Sequence, residues 1–295
     1  MSDFYGLPTQ SVGNSYLTLE FLSEAGPRIV RLFYAGVEHN LLAELPQISE
    51  NTPFGTFRFF GGHRLWHAPE AFPRTYQPDH QGLTVEHDGD RVRLQGPVEP
   101  ATGIQKCVEL FVSPDRPEIH INHALTNCGV WPVELAGWAI TQLPLGGVAI
   151  FPQQTQPLDP SGLLPNRHLV LWPYSRWLDP RLKLADDYIM IHADPALPPL
   201  KIGYPNRSGW VGYLNHGVLF IKRIPPYTQQ SYVDNGSNCE SFCNNRFIEL
   251  ETLSPLHKLE PGQSMNLIET WQLFPVKDTP ENKEEMVQLV EKIIV

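Results

Sequence analysis

The feature that most constrains this chain is an alternation of apolar and polar residues with a period of two. Successive side chains of a β-strand point to opposite faces, so this pattern predicts strands with one buried face. Twelve such segments are bounded by glycine, proline, asparagine or aspartate, which favour turns. They are 16–22, 28–33, 83–87, 91–94, 104–112, 118–125, 133–141, 188–192, 210–214, 218–224, 247–253 and 266–274.

Because no helical pattern separates these segments, we predict an all-β fold, a β-supersandwich of stacked antiparallel sheets. A proline-dense stretch at 151–180 is predicted to be an insertion that packs over a site, and no linker is visible, so 1–295 is predicted to be a single domain. A short C-terminal helix is also predicted, with Thr279 as its cap and Pro280 as its first residue. Its apolar stripe comprises Met286, Leu289, Val290, Ile293 and Ile294.

Charge and cysteine usage exclude several classes of protein. The formal net charge of -10 argues against nucleic acid as a partner, because binding to a phosphate backbone depends on clustered positive charge. The four cysteines lack C-x-x-C spacing, and we expect them to be reduced thiols. The chain shows no secretion-signal pattern and no long apolar run, so we expect a cytoplasmic protein with no membrane partner.

The densest group of aromatic and polar residues is FFGGHRLWHAPE at 59–70. Gly61 and Gly62 allow the backbone to bend or to approach a ligand closely. Trp66 offers a flat face for the C–H surface of a sugar ring. We therefore expect this segment to line a carbohydrate-type cleft.

The same segment holds four ionisable side chains. His63 and Arg64 can donate hydrogen bonds to hydroxyls or to a ring oxygen, and His67 is a further candidate. Arg64 could instead pair with Glu70 and fix the loop, and either histidine could be a satisfied core residue. Substrate-binding roles are predicted for Arg64, Trp66 and Glu70.

Three glutamates lie in a predicted hairpin at 238–255, with Glu240 on one arm and Glu249 and Glu251 on the other. Residues i and i+2 of a strand share a face, so Glu249 and Glu251 point the same way. The pattern favours a carboxylate in a cleft, tuned as a general base by burial or by Arg64. The alternative is a solvent-facing edge.

Other patterns give no comparable signal. His120 and His123 are three residues apart, so in a strand they fall on opposite faces and cannot face one ligand together. We expect no metal, because the sequence has no H-x-x-x-H, no C-x-x-C and no calcium loop. It also lacks a G-x-S-x-G elbow and any nucleotide-binding glycine loop, so we expect no cofactor.

Several segments together resemble the galactose mutarotase-like superfamily, which includes the aldose 1-epimerases and many uncharacterised bacterial relatives. The resemblance covers nearly the whole chain and implies a cleft for a monosaccharide or sugar derivative. It rests on residues 26–42, on GGHRLW at 61–66, on TNCGVWP at 126–132, and on FIELETLSP at 247–255 followed by PGQS at 261–264.

The resemblance also implies a mechanism. In the family a glutamate in a Leu-Glu-Thr segment deprotonates the anomeric hydroxyl and a histidine protonates the ring oxygen, so that the ring opens and recloses. Glu251 matches that glutamate. The family's histidine commonly follows a glycine–aromatic pair, and here the matching pair ends at Trp138 and is followed by Ala139. His63 or His67 is therefore the candidate acid, with Trp138 as a floor of the cleft.

Three hypotheses of function remain at this point. The first is a carbohydrate-binding, aldose 1-epimerase-type isomerase, and the second, favoured by Ala139, is a non-catalytic sugar-binding or sensing protein. The third is a glycoside hydrolase or lyase that uses Glu249 or Glu240 with Glu251, since two carboxylates can flank a scissile bond. Otherwise Glu240 and Glu249 are substrate-binding candidates. A small-molecule carbohydrate is the expected partner, and the oligomeric state stays open.

Overall fold

The computed structural model describes residues 3–278, 280 and 283–294, and most of its strands form two large antiparallel sheets. Sheet 1 contains, in spatial order, β1 (Asp3–Phe4), β2 (Leu7–Gly13), β3 (Leu17–Leu22), β4 (Arg28–Tyr34), β7 (His63–Ala68), β12 (Val133–Pro144), β21 (Phe247–Leu253), β20 (Cys239–Cys243), β17 (Leu200–Tyr204) and β14 (Val170–Leu171). A short strand, β22 (His257–Leu259), pairs with the first residues of β12.

Sheet 2 packs against sheet 1. Its spatial order is β15 (Leu182–Leu184), β16 (Tyr188–His192), β13 (Val148–Pro152), β18 (Trp210–Asn215), β19 (Val218–Arg223), β23 (Ser264–Pro275), β11 (Glu118–Asn127), β10 (Ile104–Val112), β9 (Arg91–Val98) and β8 (Thr84–Asp88). A separate hairpin joins β5 (Glu44–Thr52) to β6 (Gly55–Gly61).

The predicted all-β sandwich is confirmed, and a strand overlaps each of the twelve alternating segments. The bounds of β10 and β21 match the prediction. The alternation did not reveal β7 or β17, in which all six and all five residues are buried. A strand covered on both faces has no solvent side to mark with polar residues. Strand β21 is also fully buried, but it was recognised because Glu249 and Glu251 alternate with apolar residues.

The predicted C-terminal helix is also confirmed, as α1 (Lys283–Ile294). Met286 and Val290 are buried against Trp210 and its neighbours on the outer side of sheet 2. Pro280 precedes the helix and is not its first residue, which corrects the prediction, and Thr279 lies outside the described residues. The described part of the chain has no helix long and apolar enough to cross a membrane. All four cysteines are free thiols, as predicted.

A buried ion pair links the two sheets inside the sandwich. Lys222 Nζ of β19 lies 2.9 Å from Glu269 Oε1 of β23, and neither side chain is exposed. The same ammonium donates to the carbonyl oxygens of Leu250 at 3.0 Å and Ala139 at 3.3 Å, both in sheet 1. Trp271 Nε1 donates to the second carboxylate oxygen of Glu269 at 3.0 Å. These charge-assisted hydrogen bonds fix the sheets relative to each other.

Two histidines lie in the same interior. His123 Nδ1 donates to the carbonyl of Leu267 at 2.8 Å, so a neutral His123 offers Nε2 as an acceptor. That atom is 2.7 Å from His63 Nε2, and His63 Nδ1 is 2.9 Å from Thr141 Oγ1. Neutral tautomers satisfy all three contacts if His63 donates to His123 and accepts from Thr141. Burial lowers the pKa of both histidines, which favours this neutral state.

We expect His63 and His123 to lower the free energy of unfolding as the pH drops from 7 to 5, against the opposite contributions of Glu249 and Glu240, whose pKa burial raises. Because burial depresses the folded-state pKa of His63 and His123 below 6.5, the unfolded chain takes up protons that the folded chain does not. The stabilisation from the neutral histidines is present above pH 6.5 and is lost as the pH falls below it. Urea unfolding at a series of pH values measures this slope.

His63→Gln retains one donor and one acceptor, and its stability relative to the wild type should rise as the pH falls from 6.5 to 5, because the contribution of His63 to the slope is removed. His87→Gln, at an exposed position, is the matched control and should leave the slope unchanged. A His63→Gln variant with the wild-type pH dependence would contradict the assignment.

Candidate functional site

The centre of sheet 1 carries a row of polar side chains on the face directed away from sheet 2. The register places Arg64 of β7 opposite Ile140 of β12, Ile140 opposite Glu251 of β21, and Glu251 opposite Glu240 of β20. Trp66 is opposite Trp138 on the same two central strands. The sheet therefore brings together residues that lie up to 187 positions apart in sequence.

This face forms the floor of a cleft of about 520 Å³, which falls within the size range of small-molecule sites. Aromatic, cationic and acidic side chains line it together. They are Phe59, Arg64, Trp66, Glu70, Tyr76, Trp138, Tyr174, Lys201, Phe242, Phe247 and Glu249, with Asn244, Asn245 and Arg246 and with Ile48, Ser49, Glu50 and Leu197 at the edges.

Arg64 is the buried cation of the cleft, with 3% of its surface exposed. Its Nη2 donates to Glu249 Oε1 at 3.1 Å, and its guanidinium lies 4.3 Å from the ring centroid of Trp66. Its Nε and Nη1 have no hydrogen-bond partner among the described residues. The suggested pair with Glu70 does not form, because Glu70 accepts a hydrogen bond from the hydroxyl of Tyr76 instead.

Glu249 is the carboxyl group of the cleft whose pKa is raised towards neutral pH. Burial raises its pKa to about 7; the Arg64 charge opposes that shift and the Glu251 charge adds to it. A carboxyl group with a pKa near the ambient pH can accept or donate a proton with little cost. Glu249 and Glu251 do share a face, as the period of the strand predicted.

Glu251 is closed off from the cleft by its own partners. Lys201 Nζ lies 3.1 Å from Glu251 Oε2 and 2.9 Å from Glu240 Oε2, and Trp138 Nε1 donates to Glu251 Oε2 at 2.8 Å. Burial alone would lower the pKa of Lys201, but the charges of Glu251 and Glu240 raise it well above its ordinary value. Burial raises the pKa of Glu240.

The structure does not bring His63 or His67 to Glu251. Odd-numbered residues of β7 point into the sandwich and even-numbered residues point to the cleft, so each histidine lies on the face opposite to Arg64 and Trp66. His67 Nε2 is 3.4 Å from Glu99 Oε2, and burial lowers the pKa of His67. Both histidines are 2% exposed or less and do not line the cleft.

The paired glycines, Gly61 and Gly62, allow close approach to other backbone segments of the protein. Gly61 and Gly62 have φ values of 90° and 64°, which favour glycine. A Cβ atom at Gly61 would lie 2.0 Å from the carbonyl oxygen of Ala43, and one at Gly62 would lie 1.9 Å from that of Ile29. The close approach predicted from this pair is therefore to neighbouring strands of the protein.

One cluster has the ligand types of a metal site. Nitrogen or oxygen atoms of His63, His123 and Glu269 lie within 4.8 Å of one another, and all three residues are buried. The two histidine nitrogens are 2.7 Å apart, whereas two ligands about 2.0–2.1 Å from a tetrahedral zinc ion would stand farther apart. Lys222 already neutralises Glu269. The cluster fits a hydrogen-bonded core network better than a metal centre.

Sequence patterns missed several residues of the cleft, chiefly Tyr76, Tyr174 and Lys201. Lys201 left a signal, since it stands between Leu200 and Ile202 in a short apolar run. Tyr174 lies in the proline-dense stretch at 151–180 that was expected to pack over a site, and it lines the cleft.

Comparisons with known proteins agree with this architecture. No protein-family model matches the sequence, and a search of curated proteins finds no match. Among solved structures, a TPR-domain containing protein from Parabacteroides distasonis has a TM-score of 0.62 and 14% identity over 94% of this chain, which spans only 50% of that protein. A candidate aldose 1-epimerase from Escherichia coli K12 has a TM-score of 0.52 and 12% identity over 92% of this chain and 100% of its own.

A galactose mutarotase-like protein from Lactobacillus casei has a TM-score of 0.51 and 10% identity, over 90% of this chain and 100% of its own. At sequence identities this low, the structural match establishes a shared fold alone. The chain therefore has the fold of the galactose mutarotase-like and aldose 1-epimerase proteins, as its sequence motifs predicted.

Proposed function

We propose that the cleft on sheet 1 binds a monosaccharide or a small sugar derivative. The observation that carries this proposal is Arg64, a buried cation with two unbonded N–H donors beside Trp66 on the cleft wall. Buried donors without partners cost free energy that a ligand oxygen would offset. Aromatic rings next to such donors suit a sugar, which presents C–H surface and hydroxyls together, and Tyr174 lines the cleft with 39% of its surface exposed.

A second function, the interconversion of anomers, is favoured by the pKa of Glu249. The carboxylate of Glu249 would accept the proton of the anomeric hydroxyl while the bond from the anomeric carbon to the ring oxygen breaks. The ring oxygen then takes a proton from solvent water, and the Lys201 ammonium on the cleft wall is the candidate hydrogen-bond donor to it, because the raised pKa values of Lys201 and Tyr76 disfavour either as the acid. In this proposal the general base is Glu249 and not Glu251, because Glu251 Oε2 already contacts Lys201 and accepts a hydrogen bond from Trp138.

We expect the wild-type protein to bind D-glucose or D-galactose and to accelerate their mutarotation. The rate should rise with pH around a midpoint near 7, as Glu249 ionises and becomes a base. Glu249→Gln should lose about 100-fold or more of the acceleration, since general bases contribute about 10²–10⁴-fold. Tryptophan fluorescence measures binding, and NMR exchange between the anomers measures the rate.

Glu251→Gln is the matched comparison, because it changes a neighbouring carboxylate that does not line the cleft; it should keep the acceleration but move the midpoint below 7, since the Glu251 charge raises the pKa of Glu249. Saturable binding without acceleration would contradict the catalytic proposal and favour the non-catalytic sugar-binding protein. Release of a reducing sugar from a glycoside would favour the hydrolase. Absence of binding to any sugar tested would overturn the proposal of a sugar site.

A further inference from the structure

A second hollow, of about 360 Å³, adjoins the cleft. The two hollows share Glu70, Tyr76, Trp138 and Lys201 in their walls. We call the larger hollow the first lobe and the smaller one the second lobe of a single groove. Each lobe alone exceeds about 300 Å³, the lower end of ligand-sized pockets, so the groove has room for more than one small ring.

The second lobe has aromatic walls of its own. Phe72 lines it with 59% of its surface exposed, and Trp172 lines it with its ring centroid 4.6 Å from Lys201 Nζ. The Phe72 ring is 5.8 Å from the ring of Tyr76, which belongs to both lobes. A half-exposed phenylalanine at the rim of a polar hollow is an apolar surface that a ligand can cover.

Acidic groups accompany these rings. Asp234 lines the second lobe, and Glu70 lines both lobes at their junction. Carboxylates accept hydrogen bonds from hydroxyl groups, and aromatic faces pack on C–H surface, so the second lobe repeats the combination found in the first. Two adjacent lobes with the same chemistry match two adjacent rings of one saccharide.

We propose that the groove binds a linear saccharide of at least two rings, with one ring in each lobe. The linkage between the rings would then lie beside the four residues common to both lobes, which are Glu70, Tyr76, Trp138 and Lys201. This inference rests on the proposed sugar-binding function and names its ligand class: a disaccharide or a longer chain.

The test compares disaccharides with their own monosaccharides. Cellobiose and maltose are titrated against D-glucose, and lactose against D-galactose and D-glucose, with the fluorescence of the groove tryptophans as the readout. At least one disaccharide should bind at least tenfold more tightly than either of its monosaccharides. Phe72→Ala should weaken disaccharide binding by at least threefold more than it weakens monosaccharide binding.

Phe54→Ala is the matched control, since Phe54 is an exposed phenylalanine, 45% accessible, that lines neither lobe. Equal or weaker binding of every disaccharide overturns the two-ring inference and leaves the sugar site standing. So does a Phe72→Ala effect of equal size on monosaccharides and disaccharides. If no sugar binds, the proposed function itself fails, and the two failures are distinguishable.

Discussion

Replacing Lys222 by methionine is expected to lower the free energy of unfolding by about 3–5 kcal/mol. Lys222 and Glu269 are both 0% exposed, and removal of the ammonium leaves a carboxylate in the sandwich core without its counter-charge. The carbonyl groups of Leu250 and Ala139 lose a donor in the same step. Chemical denaturation at pH 7.5 measures the difference.

Lys258→Met is the matched control, because Lys258 forms a 3.6 Å pair with Glu260 at the surface, where 68% of the lysine side chain is exposed. Exposed pairs contribute about 0–1 kcal/mol, so this change should be nearly neutral. The double variant Lys222→Met with Glu269→Gln should regain part of the loss, since no full charge then stays buried. A Lys222→Met protein as stable as Lys258→Met would contradict the expectation.

Replacing Arg64 by methionine is expected to weaken sugar binding by about tenfold to a hundredfold, as charge-assisted hydrogen bonds are worth about 1.5–3 kcal/mol. The same change should raise the pKa of Glu249 above its value of about 7, because the Arg64 charge is what now lowers it. Binding titrations measure the first effect. The carboxyl band in infrared difference spectra, followed against pH, measures the second.

Arg64→Lys separates charge from geometry. It should keep the pKa of Glu249 close to 7 and still lose affinity, because an ammonium lacks the forked donors of the guanidinium. Arg58→Met, at an exposed position of the neighbouring strand β6, is the control for loss of a positive charge. Wild-type affinity in Arg64→Met would show that the unbonded donors of Arg64 do not contact the ligand.

Strands in which polar and apolar residues alternate were predictable from sequence, whether or not one face meets solvent. The segments at 104–112 and 247–253 had the bounds that the structure gives them. The segment at 61–67 was understood as a ligand-lining loop, since its glycines and charges hid strand β7. In a strand, the period of two places His63 and His67 on the face opposite to Arg64, so neither histidine lines the cleft in which a proton donor was expected.

Contacts between strands that are far apart in the sequence could not be predicted from local sequence patterns. The pairs Lys201–Glu251 and Lys222–Glu269 depend on which strands become neighbours, and a local pattern carries no information about strand order. The two faces of one strand are local, and the shared direction of Glu249 and Glu251 was accordingly predictable. The position of a proton donor was not predictable, because the resemblance places a histidine after Trp138, where this chain has Ala139.

The two faces of strand β7 determine which of its positions can be varied to change the ligand preference of this protein. Positions 64 and 66 face the groove, whereas inside the sandwich His63 is hydrogen-bonded to His123 and His67 lies 3.4 Å from Glu99. A library randomised over the whole segment would therefore consist largely of variants that fail to fold. A library randomised only at positions 64, 66, 138 and 249 changes residues that line the groove. It leaves the contacts inside the sandwich intact, so that selection reports on ligand binding.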